Sequence, residues 1–240
     1  MPFKPSLKLT LILLLLAALF LRLGFWQLER KSEKQQLFDA FEQAPLQELG
    51  QALSGDAPFV RVEAWGRYDT QRHLLLDNRL HQGRAGVQVL TPFQLQDGRQ
   101  ILVNRGWLPK PPDRRSLPAF ETAGDWRTIT GILVWPPAGG PRLGEADRLD
   151  SEHWPQLVTY LDLEQASAAL GTSLQPRLIQ LDPQDPTGFE GRDWQPAVMG
   201  PEVHGAYALQ WFSLALAALI IWLALGYRRA LGRSGTKSEN

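Results

Sequence analysis

Chemistry in this chain has few side chains to draw on: there are four histidines and no cysteine. The missing thiols rule out disulfides, thiolate catalysis and cysteine-based metal sites. No Gly-x-Ser-x-Gly, His-Glu-x-x-His, Walker loop or Gly-x-Gly-x-x-Gly is present, so the common hydrolase, zinc-protease and nucleotide-binding signatures are absent. His73 and His81 are eight residues apart and could approach on a hairpin, but two imidazoles do not make a metal site, and exposed strand-edge positions explain both. His153-Trp154-Pro155 reads as a loop plug.

His204 stands apart because of its neighbours. At about 100° per residue, His204, Tyr207, Ala208, Trp211 and Ala215 share one face of a helix, at spacings of three, four, seven and eleven. Two readings are open. The face is either an aromatic belt at a membrane edge with a snorkelling histidine, or a site for a planar, partly apolar cofactor. In the second, the imidazole ligates haem iron while Ala208 and Ala215 leave room for a ring.

The elements that must carry this face are two apolar runs. Residues 206–226 hold no charge, and residues 9–26 are interrupted only by Arg22. A bilayer core about 30 Å thick needs roughly 20 such residues, and backbone pairing in lipid requires them to be helical. The expected organisation is a transmembrane helix at 9–26, a juxtamembrane amphipathic helix at 27–44, one domain at 45–203, a second transmembrane helix at 204–226 and a tail at 227–240. No small-x-small cleavage site follows the first run, so it is expected to stay as an anchor. Lys4 and Lys8 before the first span, and Arg228, Arg229, Arg233 and Lys237 after the second, place both termini in the cytoplasm. Arg30, Lys31 and Lys34 lie on the other side, where a long translocated domain escapes the positive-inside rule. Arg22 is within a turn of the outer end, where it either snorkels or pairs with an anion.

Between the spans the period changes to two. Alternation from Phe59 to Tyr68, short strands at Leu74, Val87, Ile101, Thr128, Leu157 and Arg177, and the Asp97-Gly98 turn describe a β-rich α+β domain, read as a small antiparallel barrel or sandwich. Asp162 to Leu170 is its one clear helix, with Gly171 closing it. Formal net charge is zero, with no basic block outside the membrane flanks, which argues against a nucleic-acid partner. Asn104-Arg105-Gly106-Trp107 reads as a turn with Gly106 at positive φ and Trp107 plugging the barrel.

Leu23-Gly24-Phe25-Trp26-Gln27-Leu28-Glu29-Arg30-Lys31, Gly66-Arg67-Tyr68-Asp69, Gly86 to Phe93, Leu102 to Pro109 and His204-x-x-Tyr207-Ala208-x-Gln210-Trp211-Phe212 occur in that order over nearly the whole chain. Together they resemble the first Surfeit-locus protein family of cytochrome oxidase assembly factors. The resemblance implies a bacterial inner-membrane factor, not an enzyme, that serves the catalytic subunit of cytochrome c oxidase. Haem a is the implied cofactor, the haem a synthesis machinery a possible further partner, and His204 the implied axial ligand. No mitochondrial-type transit peptide precedes the first span. Such a carrier holds the ring at the bilayer's outer edge, with Tyr207, Ala208 and Trp211 beside it, Trp26 closing the pocket, and Arg105, Arg22 or Arg30 on the propionates. The family often has Asn two residues before that histidine; this chain has Glu202. A scaffold that stabilises an oxidase intermediate without touching haem is the alternative.

Overall fold

The computed structural model describes residues 5–111, 113, 116–136 and 149–234, the last six as backbone only. The chain divides into two compact units, residues 1–39 with 196–240, and residues 40–195.

The first unit is a pair of long helices, α1 (Leu7–Glu42) and the last helix, α4 (Pro201–Ser234). Both are long and apolar enough to cross a membrane. On α1 the buried residues are Ala17, Gly24 and Gln27, and on α4 they include Ala208, Ala215 and Ala218. These sevens and threes are the seam of an antiparallel pair, in which small residues let two backbones approach closely. A Cβ on Gly24 would collide with the Phe212 ring. Trp222 donates to Thr10 Oγ1 at 3.0 Å near one end, and Phe20 stacks on Trp211 with centroids 5.8 Å apart near the middle. The amphipathic continuation of the first run is part of the same unbroken helix. α4 starts at Pro201, three residues ahead of the expected boundary at 204, because proline suits the first helical position, where its absent N–H is not missed.

The second unit is a sheet in the order β1-β2-β6-β8-β5-β4-β3-β7. Its strands are β1 (Leu46–Glu48), β2 (Phe59–Tyr68), β3 (Leu74–His81), β4 (Arg84–Leu95), β5 (Gln100–Pro109), β6 (Arg127–Val134), β7 (Gln156–Val158) and β8 (Leu174–Leu181). The far end of β2 also pairs with β4 (Gly66 with Leu95, Tyr68 with Phe93), so β2, β6, β8, β5 and β4 form a closed ring. Gly66 permits that closure, since a side chain there would strike the Gln94 carbonyl and the Phe93 ring. Alternate residues of the five strands fill the interior: Val60, Val62 and Ala64, then Phe93, Ile101, Val103, Ile129, Leu133, Ile179 and Leu181. The short helix α2 (Leu49–Ser54) adds Leu49 and Ala52 to that core, and Glu48 caps it by accepting from the Gly50 and Gln51 N–H groups.

The sheet is mixed, whereas strand spacing suggested an antiparallel one. β5 runs parallel to β8, β1 to β2, and β3 to β7. Parallel neighbours need a long crossover, and here the return from β5 to β8 includes α3 (Leu163–Leu170). Ala166 and Leu170 of α3 pack with Leu74, Leu90, Leu102 and Leu178 on the outside of the ring. Asp162 caps α3 by accepting from Glu164 and Gln165, and Gly171 ends it at φ 66°.

Arg177 ties these layers together. It is 0% exposed, with Asp56 as the nearby acidic influence; its guanidinium donates to the carbonyls of Ala52, Ala57 and Leu133 at 2.8–3.1 Å and lies over the Trp135 ring. Burial holds its pKa below the usual arginine value.

Candidate functional site

His204 sits one turn into α4, and Pro201, three residues earlier, lies in the buried row that its own spacing continues. Its Nδ1 is 2.9 Å from Oε1 of Gln27, the buried amide on the facing helix. With the amide oxygen facing it, Nδ1 is placed to donate, which would leave the Nε2 lone pair for a ligand. That is the protonation pattern an iron ligand requires.

The rest of the anticipated pocket is arranged differently. Ala208 and Ala215 are each 2% exposed, because the room their small side chains create is taken up by α1. Trp211 spends a ring face on Phe20. Tyr207 is 44% exposed, on the flank of the seam. Trp26 is 43% exposed; it lies about 100° around α1 from Gln27, and it is Gln27 that meets His204. The helix pair thus brings His204 together with Gln27 and leaves Tyr207 and Trp26 outside the contact.

Arg105 belongs to the other unit and is 4% exposed. Its guanidinium donates twice to the Thr187 carbonyl and once to Thr122 Oγ1, between the rings of Tyr68 and Phe189. Burial lowers its pKa and pushes that of Tyr68 up to about 12. These bonds and ring contacts all lie within the strand unit. Arg30 pairs with Glu33 at 2.7 Å, and Arg22 is exposed on α1.

The stretch around Arg105 shows why Trp107 is not where the strand pattern put it. Leu90 faces Asn104 but Gln88 faces Trp107, so β5 carries an extra residue. Such a bulge reverses which face later side chains occupy. Gly106 makes the bulge possible at φ 109°, where Asn104 Oδ1 accepts its N–H. Ile101 and Val103 point into the ring, but Trp107 is buried outside it, beneath His81 and Arg84, donating Nε1–H to the Arg79 carbonyl.

His73 is also a departure from expectation. It is buried against Phe120, with Nδ1 3.1 Å from Thr91 Oγ1, and burial drives its pKa down to about 4. His81 is half-buried on Trp107. His153 is exposed and bonded to Asp150, while Trp154 packs inward. Among the described residues no group of three or more His, Asp or Glu side chains converges as a metal cluster.

The SURF1 family model matches residues 14–216, which take in most of α1, the first half or so of α4 and the whole strand unit. This chain belongs to the SURF1 family. Its relatives include a SURF1-like protein from Rickettsia felis, 28% identical over 233 residues and covering 92% of this chain and 97% of that one. A SURF1-like protein from Monosiga brevicollis is 28% identical, with 90% of this chain and 86% of the relative covered. The Surfeit locus protein 1 of Takifugu rubripes is 27% identical, with 88% and 94% covered. Family membership therefore extends over both helices and the strands, and His204 and Gln27 fall within the matched span.

Gln27 is the residue that sequence reasoning passed over. Its signal was there: a lone amide at the polar end of an apolar run, three residues past Gly24 and ten past Ala17, in phase with the small residues.

Proposed function

We propose that this SURF1 family member is a membrane-bound assembly factor for a haem-copper cytochrome c oxidase, holding haem a on His204 for delivery to the catalytic subunit. Both helices span a bacterial inner membrane with the termini cytoplasmic, and the strand unit, a small barrel, is extracytoplasmic. The reading rests on family membership, on two helices of spanning length, and above all on the Gln27 contact at His204 Nδ1, which would leave Nε2 for a ligand.

A bound haem would supply an iron centre for axial ligation and, through its tail and propionates, demand an address at the lipid–water boundary. The chain's own residues do the rest. Gln27 orients the imidazole, Phe20 and Trp211 hold α1 and α4 in register, and Tyr207 and Trp26, exposed on the flanks, form an aromatic belt of the kind that anchors helix ends at the headgroups. The synthesis machinery for haem a is the natural donor and the oxidase catalytic subunit the acceptor.

The scaffold alternative draws on one observation: Ala208 and Ala215 are buried, each 2% exposed. The two readings separate when the protein is purified from cells making haem a and its visible spectrum recorded, with His204→Ala in parallel. A haem band lost in the variant, together with oxidase of low haem content in the deletion strain, supports the carrier. A haem-free wild-type protein beside fully loaded oxidase favours the scaffold.

A further inference from the structure

An amide in an apolar helix seam is costly unless its polar atoms are bonded. Gln27 is 9% exposed, and its oxygen meets His204 Nδ1 at 2.9 Å. Packing alone would be better served there by leucine, and register is already set by Thr10 with Trp222 and by Phe20 with Trp211. What the amide adds is chemical. In water a neutral imidazole prefers its proton on the other nitrogen, so an acceptor placed at Nδ1 reverses the default and fixes the ring's rotation. A carboxylate at this position would do the same but would add a charge beside the apolar seam; glutamine does it while neutral.

We propose that Gln27 is a positioning residue: by accepting the Nδ1 proton of His204 across the helix pair, it holds the imidazole in the tautomer whose Nε2 is free to bind iron. This rests on the haem-holding reading above, and concerns Gln27 and not the ligand itself. Partners of this kind, one step removed from the metal, typically change affinity by about 10–100-fold.

The test uses the full chain in nanodiscs with ferric protoporphyrin IX as the probe, and two readouts. Nitrogen-15 NMR of the haem-free protein should show His204 protonated at Nδ1, and a mixture of tautomers in Gln27→Leu. Titration should show haem binding lost in His204→Ala, weakened about 10–100-fold in Gln27→Leu, and restored in Gln27→Glu with a midpoint potential more negative than wild type. A disulfide between Ala17→Cys and Ala215→Cys, forming in all variants of this cysteine-free chain, shows the helix pair intact. Wild-type His204 protonated at Nε2 overturns the proposal. So do Gln27→Leu and Gln27→Glu variants that match wild type in affinity and potential while His204→Ala fails, an outcome that leaves the haem reading standing. A wild-type protein with the Nδ1 proton but no affinity for haem overturns the iron role and the haem reading together.

Discussion

Two buried ionisable side chains of the strand unit carry predictions at the residue scale. Truncating Arg177 to Met removes the guanidinium donors from the carbonyls of Ala52, Ala57 and Leu133, of which Ala52 keeps only a long bond from the Gly55 N–H. Each stranded buried acceptor costs about 1–3 kcal/mol, and with partial relaxation the expected loss is about 3 kcal/mol or more. Urea unfolding of the isolated variant and wild type compares them directly; equal midpoints would show that the clamp contributes nothing. His73 makes the stability of this unit depend on pH. Its pKa is about 4 when folded and about 6.5 when unfolded, because burial penalises the imidazolium. Between those values the unfolded chain binds more protons, so stability falls as pH drops from about 6.5 towards 4, by up to about 3 kcal/mol in all. In His73→Gln that dependence should flatten. A pH–stability profile unchanged by the substitution would assign the acid sensitivity elsewhere.

The helix seam and the β5 bulge are decided by glycine at the scale of elements. Gly24→Leu drives a side chain into the Phe212 ring, so that ring or the spacing of α1 and α4 must give. The expected result is loss of the cysteine cross-link between positions 17 and 215, with the far-ultraviolet helix signal retained. In β5, Gly106→Val puts a β-branched residue at φ 109° and a Cβ against the Glu190 carbonyl, which also accepts the Trp107 N–H. Strain and lost bridging together should cost about 2–4 kcal/mol. Thermal unfolding reads the effect, and an unshifted melting temperature would mean the bulge can move.

Along the chain, two apolar helices flank one strand unit. If the helices cross the membrane as proposed, a cysteine at exposed Ser151 reacts with an impermeant maleimide in cells whose outer membrane alone is opened. One at Arg228 reacts only after the inner membrane is breached. The reverse pattern would place His204 on the wrong side for the proposed function.

By itself the sequence determined whatever depends on neighbours along the chain: two uncharged runs with helical consequence, the two-residue alternation of β2, the Asp97-Gly98 turn, and the Asp162 and Gly171 ends of α3. It also carried the ordered motifs that mark the family. It did not determine β1 or α2, since three and six residues are too few for a period to show. Nor did it reveal parallel β5–β8 pairing, the ring closure through β2 and β4, or the change of face at the bulge, all of which depend on contacts between distant strands. The candidate site divides the same way. His204 was legible because a titratable side chain at the mouth of an apolar run is unusual. Its partner was not, because helical periodicity names a face but not what lies against it. Only packing α1 on α4 spends Ala208 and Ala215 on close approach, turns Trp26 outward and sets the Gln27 amide against the imidazole.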